Sequence, residues 1–408
     1  KFIFMSATNP LWASAVLLTE RMVQPMDKPT VQDIFHRFYP AYLDQYSPSP
    51  VQAKVAHNIM NCKTGAYGAN VCVCEDCGFV QIHYNSCRNR CCPMCQAVPK
   101  EMWMDARRED VLDAPYFHLV FTVPDILNPV IYSNQRLLYD ALYHAASSTI
   151  SELTADPKHL GAKVGYICIL HTWGSEMNFH PHIHTILLGG GLASNNQWKD
   201  NGENFFLPIR VISKMFRGKY LEELKRLWEE DKLVFHGTAE KFRNHYTFKE
   251  LLDSCYGMDW IPHCKKTFNG AQTVIKYLGK YTHRIAVSNH RIVRMDDDTV
   301  TFLVKDYRNE GQWKELTISG VEFVRRFLMH VPPRRFVRIR HYGLLCSRTK
   351  SQKLTLCRNL LGCKKYLSKL RDMEMPEILE HLYGIKVCVC KACGGHLGKP
   401  QMRMPLRC

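Results

Sequence analysis

Two histidines one residue apart, His182 and His184, are the side chains of this chain best suited to hold a metal ion. They lie in the run His-Pro-His-Ile-His, which is followed by Thr-Ile-Leu-Leu and then by three glycines. The apolar run predicts a core strand, and the glycines predict a turn at its end. Alternate residues of a strand point to one face about 6.6 Å apart. The two imidazoles can therefore converge on one cation while Ile183 faces the core.

Two tyrosines, Tyr277 and Tyr281, are candidate nucleophiles. In the segment 269–284, apolar and aromatic residues recur with the i, i+3, i+4, i+7 spacing that predicts an amphipathic helix. Four residues rise about 6 Å and return to one face of a helix. Both phenols can therefore face the same groove.

Basic residues surround both phenols in the sequence. Lys276, Lys280 and Arg284 would favour the phenolate form of a neighbouring tyrosine and hold a phosphate by charge. We therefore predict that the two lysines act in catalysis beside the two tyrosines, and that Arg284 contacts DNA.

Paired cysteines predict structural zinc. Two Cys-x2-Cys pairs, separated by 14 residues, supply the four thiolates of a tetrahedral zinc ion. The predicted ligands are Cys74, Cys77, Cys92 and Cys95. Further thiols that could hold a second zinc are those of Cys62, Cys87 and Cys91.

Another pair, Cys390-x2-Cys393, lies later in the sequence, with Cys388 before it and His396 after it. One pair supplies half of a tetrahedral site, so it predicts a C-terminal zinc knuckle whose other ligands stay open. Candidates for those ligands are Cys346, Cys357 and Cys363.

The chain is strongly basic, with 54 Lys and Arg against 38 Asp and Glu and a formal net charge of +16. Its 408 residues suit two or three domains. The charge favours a polyanionic partner, of which nucleic acid is the first candidate. Arg88 and Arg90 lie between the cysteine pairs, and we predict that they contact a DNA backbone.

The 18 cysteines are unevenly spread, which favours metal sites in a reducing compartment over a secreted disulfide scaffold. The apolar run 11–18 is too short to span a bilayer. We therefore expect a cytoplasmic protein with no membrane partner.

The elements that must position these residues alternate between strands and helices. The sequence predicts, in order, strand 116–123, helix 134–154 and strands 164–173 and 182–188. This βαββ order suits an antiparallel sheet with helices packed on one face. Further predicted elements are helices 31–38, 49–60, 212–232 and 321–330, a surface loop at 193–204, and a hairpin or meander within 290–319.

In this order the segments resemble the HUH endonucleases, in particular the two-tyrosine rolling-circle transposases of bacterial insertion sequences, which carry an N-terminal transposase zinc-binding domain. The resemblance covers most of the chain from about residue 58 onwards. It rests on the segments 117–124, 180–184, 277–281, 305–308, 322–330 and 338–343. The implied fold is α+β, with an HUH endonuclease core (an antiparallel sheet with helices on one face), an N-terminal zinc-binding domain and a basic C-terminal region.

This resemblance divides the chain into five predicted segments. They are an unassigned N-terminal extension (1–30), a helical and zinc-binding DNA-binding domain (31–104), the nuclease core (105–290), a β-rich and helical extension of the core (291–345) and the basic C-terminal region (346–408).

The resemblance implies metal-assisted nicking and rejoining of single-stranded DNA at mobile-element ends, through a 5′-phosphotyrosine intermediate, with Mg²⁺ or Mn²⁺. Imidazole ligands by themselves favour Mn²⁺ or a later transition metal over Mg²⁺. The third ligand stays open among His180, Glu176 and His118; Glu176 could take the part of an acidic residue in related replication initiators. Similar transposases usually have His, another zinc ligand, at the position of Cys91.

The implied partner is DNA, especially single-stranded or hairpin element ends, in the bacterial cytoplasm at the nucleoid, with host replication machinery as a further candidate. The oligomeric state stays open. A plasmid relaxase or replication initiator would share the chemistry, although the sequence has no Gly-x4-Gly-Lys-Ser/Thr loop of a fused helicase. A non-catalytic zinc-containing DNA-binding regulator, with core histidines and tyrosines, is the alternative from another class.

Overall fold

Antiparallel sheets and helices make up the computed structural model of this chain, which describes residues 28–200, 207–260, 262–268, 273–274, 279, 285–306 and 310–403. Within these residues the strands form one six-stranded and two three-stranded sheets. The predicted α+β class is confirmed. Among the same residues, none of the helices combines the length and the apolar composition that a membrane span requires.

Capping motifs in the sequence set the starts of the first two helices. Thr30 with Asp33, and Ser49 with Gln52, form capping boxes that satisfy the first backbone amides. The α-helices of the described residues are α1 (Val31–Leu43), α2 (Pro50–Met60), α3 (Ala97–Arg108), α4 (Asn128–Ser133), α5 (Gln135–Ala155), α6 (Ile209–Glu229), α7 (His245–Gly257), α8 (Gly320–Met329), α9 (Lys350–Leu361) and α10 (Met375–Tyr383).

The strands follow the predicted βαββ order in the middle of the chain. They are β1 (Ala69–Val73), β2 (Val80–Tyr84), β3 (Tyr116–Thr122), β4 (Lys163–Trp173), β5 (Phe179–Leu192), β6 (Trp198–Asp200), β7 (His263–Phe268), β8 (Ile292–Met295), β9 (Thr299–Asp306), β10 (Gln312–Ser319), β11 (Ile339–Gly343) and β12 (Gln401–Arg403). The central sheet has the order β11-β4-β5-β3-β7, and β6 pairs with the end of β5.

One face of the central sheet is covered by α5 and α6. Phe121 of β3, Leu170 of β4 and Ile183 of β5 lie side by side on this face and share an apolar core with both helices. The Phe121 ring lies 4.9 Å from the ring of Phe216 on α6. The predicted antiparallel sheet with helices on one face is confirmed.

A second apolar core joins the N-terminal helices to the β8-β9-β10 sheet and to α8. Phe35 of α1 meets Phe327 of α8 edge to face, with ring centroids 5.2 Å apart. The predicted segments 31–104 and 291–345 therefore share one core, although they are distant in sequence. The exact domain boundaries stay a prediction.

This second core also holds the short loop 174–178 that connects β4 with β5. Met177 is fully buried in the core with a left-handed φ of +59°. Three side chains of the segment 291–330, here called the β8 to α8 region, donate hydrogen bonds to consecutive carbonyls of this loop. Arg291 donates to Ser175 at 2.6 Å, Arg326 to Glu176 at 2.9 Å and His330 to Met177 at 2.9 Å. These contacts fix the loop and, with it, the register between β4 and β5.

The C-terminal region folds back onto the N-terminal part of the chain. Strand β12 pairs with β1, so that Ala69 lies opposite Arg403. On α3, the buried carboxylate of Asp105 accepts hydrogen bonds from the hydroxyls of Tyr366 and Ser368 at 2.7 and 2.6 Å. The predicted basic C-terminal region is thus attached to the predicted zinc-binding domain through β1, and to α3 at the first residue of the predicted nuclease core.

The three glycines at 189–191 do not form the predicted turn, because β5 continues through them. Their neighbours leave no room for side chains. A β-carbon on Gly190 would overlap the ring of Trp198, and one on Gly191 would overlap the carbonyl oxygen of Lys163. Glycine is needed here for the close approach of adjacent strands.

We expect Gly191→Ala to destabilise the protein by about 1–3 kcal/mol, because the Lys163 carbonyl belongs to the sheet backbone and can yield only by distorting it. Gly174→Ala is the matched control, since a β-carbon there meets no atom within 4 Å. Urea unfolding of both variants beside the wild type measures the difference. Equal midpoints for the two variants would contradict this interpretation.

Candidate active site and metal centres

Three buried histidines meet on the face of the central sheet opposite α5 and α6. His182 and His184 share this face of β5, and His171 of β4 lies directly across from His182. Ring nitrogens of the three lie within 4.8 Å of one another. The sequence predicted the first two as metal ligands and missed His171. Its only sequence signal was a position near the end of the predicted strand 164–173.

Hydrogen bonds orient two of these rings. The Nδ1 of His182 donates to the carbonyl oxygen of His180 at 2.7 Å, because a carbonyl can only accept. The Nδ1 of His184 lies 2.9 Å from the Nε2 of His118. Each ring therefore turns its Nε2 towards the other, and these two atoms are 3.0 Å apart.

Burial keeps the imidazoles of His182 and His184 neutral. Loss of solvation lowers the pKa of His182 to about 4, against a smaller opposing effect of the His180 carbonyl. Burial, together with the neighbouring His171 and His182, lowers the pKa of His184 well below its usual value. Neutral imidazole is the form that binds metal ions.

The donor set fits a divalent cation. The His182 ring donates its Nδ1 proton to the His180 carbonyl, so its Nε2 presents a lone pair, and this atom lies 3.0 Å from the Nε2 of His184. That separation equals the distance between adjacent ligands of an octahedral ion bonded at about 2.1 Å. Imidazole nitrogens bind a transition-metal ion better than Mg²⁺.

The predicted third ligands lie elsewhere. The His180 ring is turned towards Asp125, with Nδ1 3.2 Å from the carboxylate. The Glu176 carboxylate accepts from the Asn178 amide at 3.3 Å. His118 contacts the cluster through its hydrogen bond to His184 and by stacking on that ring. Among the described residues, His171 therefore joins His182 and His184 in the cluster, and His180 and Glu176 do not.

The predicted nucleophiles Tyr277 and Tyr281, and with them Lys276, Lys280 and Arg284, lie outside the described residues. Two neighbours in sequence are described. Val274 is buried in the apolar cluster that contains Ile169 and Ile186, which share the histidine face of the sheet. Gly279 lies against Met104 of α3, so closely that a β-carbon would overlap the sulfur.

The paired cysteines form two groups of four whose sulfurs lie within 4.8 Å of one another. One consists of Cys62, Cys87, Cys92 and Cys95, and the other of Cys74, Cys77, Cys390 and Cys393. The predicted set of Cys74, Cys77, Cys92 and Cys95 is therefore wrong as a set. The pair Cys74 and Cys77 lies at the turn of the β1-β2 hairpin, and the pair Cys92 and Cys95 lies at its other end. Strands of five residues separate these ends by about 17 Å.

Other predicted contacts also need correction. Cys91 belongs to neither group and is buried in the second core, where burial raises the pKa of its thiol. Cys346, Cys357 and Cys363 are not the partners of the C-terminal pair. Arg90 donates to the Phe336 carbonyl at 2.7 Å, both Arg88 and Arg90 are exposed, and their contact with DNA stays a prediction.

Known proteins match the chain along most of its length. A family model described as "Putative transposase" matches residues 165–353, and one described as "Transposase zinc-binding domain" matches residues 34–123. The chain is 40% identical over 369 residues to "Putative transposase y4qJ" of Sinorhizobium fredii, over 90% of this chain and 93% of the relative. It is 30% identical over 309 residues to "Transposase for insertion sequence element IS801" of Pseudomonas savastanoi pv. phaseolicola, over 74% and 72%. No solved structure matches it.

We expect His171→Ala to weaken the binding of Mn²⁺ by about 10–100-fold or more, because it removes one of three converging imidazoles. His180→Ala is the control, since that ring points to Asp125. Equilibrium dialysis of Mn²⁺ against zinc-loaded protein gives both affinities. A larger loss in His180→Ala than in His171→Ala would contradict the assignment.

Proposed function

We propose that this chain, which belongs to the insertion-sequence transposases that carry a transposase zinc-binding domain, nicks and rejoins single-stranded DNA at the ends of its element by metal-assisted tyrosine chemistry. Membership of the family implies DNA as the partner, and cleavage and transfer of DNA strands as the activity. The proposal adds the HUH type of site, the nucleophiles and the form of the DNA.

The observation that carries this proposal is the cluster of three buried imidazoles, which lies within the matched transposase segment. His171, His182 and His184 would hold the cation. A bound divalent cation would supply Lewis-acid charge to the scissile phosphate. His118 and the His180 carbonyl bond to the far nitrogens of two ligands and thereby hold the orientation of their rings.

Tyr277 and Tyr281 are the proposed nucleophiles. Val274, three residues before Tyr277, is buried on the sheet face that bears the histidines. In the proposed reaction a tyrosine oxygen bonds to phosphorus while the bond from phosphorus to the 3′ oxygen breaks, which leaves a 5′-phosphotyrosine and a free 3′-hydroxyl. A 3′-hydroxyl that attacks this link reverses the exchange, so rejoining needs no ATP. A second tyrosine permits a second transfer before the first link is resolved.

A cavity with two lysines next to the β4-β5 loop supports a single-stranded substrate. It has a volume of about 540 Å³ and is lined by Lys305, Lys314 and His180 together with the carboxylates of Glu176 and Asp306. The ring of Trp313 is half exposed, and the Lys305 ammonium lies 5.4 Å from its centroid. Positive charge next to an exposed aromatic ring is the combination that binds the backbone and the stacked bases of a single strand.

Conservative changes at the tyrosines test the nucleophiles, since Phe keeps the ring and removes the attacking oxygen. We expect Tyr277→Phe and Tyr281→Phe each to form some covalent adduct with labelled single-stranded DNA in the presence of Mn²⁺. The double variant should form none, while its thermal stability should hardly change. Denaturing electrophoresis detects the adduct, and mass spectrometry identifies the residue linked to DNA. We expect Tyr281 to be the residue that carries out the first cleavage.

The control for this experiment is Tyr246→Phe, at a tyrosine that is 76% exposed on α7. It should leave the adduct at the wild-type level. An adduct that persists in the double variant would refute the nucleophile assignment. Absence of any adduct from a wild type that still binds DNA would favour the non-catalytic regulator.

The two lysines of this cavity predict a specific salt dependence. The logarithm of the affinity for single-stranded DNA falls against the logarithm of salt concentration with a slope of about −0.7 per neutralised phosphate. Lys305→Ala and Lys314→Ala should therefore each make the slope shallower by about 0.7. Lys225→Ala, at an exposed lysine on α6 that does not line the cavity, should leave it unchanged. Fluorescence anisotropy measures all four slopes, and equal slopes would remove the cavity from the DNA path.

A further inference from the structure

Four thiols from distant parts of the chain meet at the end of the β1-β2 hairpin. The sulfur of Cys74 lies 3.5 Å from that of Cys393, and the sulfur of Cys77 lies 3.8 Å from that of Cys390. These distances are too long for disulfide bonds, which measure about 2.05 Å. Four sulfurs bonded at about 2.3 Å to a tetrahedral zinc ion lie about 3.8 Å apart.

The two halves of this cluster have the same backbone conformation. Each is a Cys-x2-Cys-Gly knuckle whose glycine has a left-handed φ, +71° at Gly78 and +77° at Gly394. In each knuckle, the amide of the first cysteine donates to the carbonyl five residues later, and the carbonyl of that cysteine accepts from the glycine amide. The first knuckle has Cys74 to Phe79 at 2.9 Å and Gly78 to Cys74 at 3.0 Å. The second has Cys390 to Gly395 at 2.8 Å and Gly394 to Cys390 at 3.0 Å.

Further contacts prepare the sulfurs for a cation. The amides of Ala392 and Gly395 point at the sulfurs of Cys390 and Cys393, each at 3.4 Å, and such donors stabilise thiolates. The apolar cluster around the site is small: Cys72, Cys74, Cys390 and Leu397, with Phe79 against it. So few apolar residues supply little folding energy, and small modules of this kind usually depend on a metal.

We propose that Cys74, Cys77, Cys390 and Cys393 bind one structural zinc ion that fastens the C-terminal segment, residues 388–403, to the β1-β2 hairpin. This ion is distinct from one held by Cys62, Cys87, Cys92 and Cys95 at the other end of the hairpin. Half of its ligands lie outside the matched zinc-binding domain, which ends at residue 123. The pairing of β12 with β1 continues the attachment beyond the metal.

Zinc counting on purified full-length variants tests the ligand set. Cys390→Ser with Cys393→Ser should lose one zinc per chain. Addition of Cys74→Ser and Cys77→Ser to that variant should cause no further loss, because all four residues serve one ion. Addition of Cys92→Ser and Cys95→Ser instead should remove a second zinc.

Two variants control for general damage to the fold. Cys388→Ser, at an exposed cysteine outside the group, should keep all the zinc. Cys393→His should also keep it, because three thiolates and one imidazole form an ordinary zinc site. In the zinc-deficient variant, trypsin should cut after Lys391 faster than in the wild type, while cleavage after Lys225 on α6 stays unchanged.

Full zinc content in the Cys390→Ser, Cys393→Ser variant would overturn the proposal. So would a further loss of zinc when Cys74→Ser and Cys77→Ser are added to it, since the two pairs would then serve different ions.

Discussion

The register between β4 and β5 is the constraint on which the candidate active site depends. It places His171 opposite His182, and a slip of one residue would turn one of the two rings to the helix-covered face. The loop 174–178 sets this register, and the loop is itself held by hydrogen bonds from the β8 to α8 region. The second apolar core, which lies outside the six-stranded sheet, therefore determines the geometry of the histidine cluster.

Burial of three imidazoles has a cost that the surrounding structure offsets. A buried polar ring without hydrogen bonds costs free energy, and a charged one costs more. The His180 carbonyl and the His118 ring supply partners to His182 and His184, so both rings can remain neutral in a largely apolar environment. Substitution of these supporting groups would change metal affinity through ring orientation rather than through the number of ligands.

The sequence predicted what local periodicity controls and missed what distant contacts control. Strands β3, β4 and β5, helix α5 and the shared face of His182 and His184 follow from apolar patterns of neighbouring residues. His171 could not be identified, because its position across from His182 depends on a loop register. The zinc ligands were grouped by their spacing along the chain, yet Cys74 and Cys393 meet across 319 positions. The glycines at 189–191 were misinterpreted because glycine serves both turns and close strand contacts.

The pairing of β1 with β12 can form only after the whole chain between them has been synthesised. Ribosomes add about 5–20 residues per second, so the more than 300 residues between these strands take on the order of tens of seconds to synthesise. During that interval the edge of β1 that later receives β12 is exposed in the nascent chain, and an open strand edge is a site for unwanted association. A chain that terminates before β12 keeps this edge of β1 open permanently, and with it the tendency to associate with other chains.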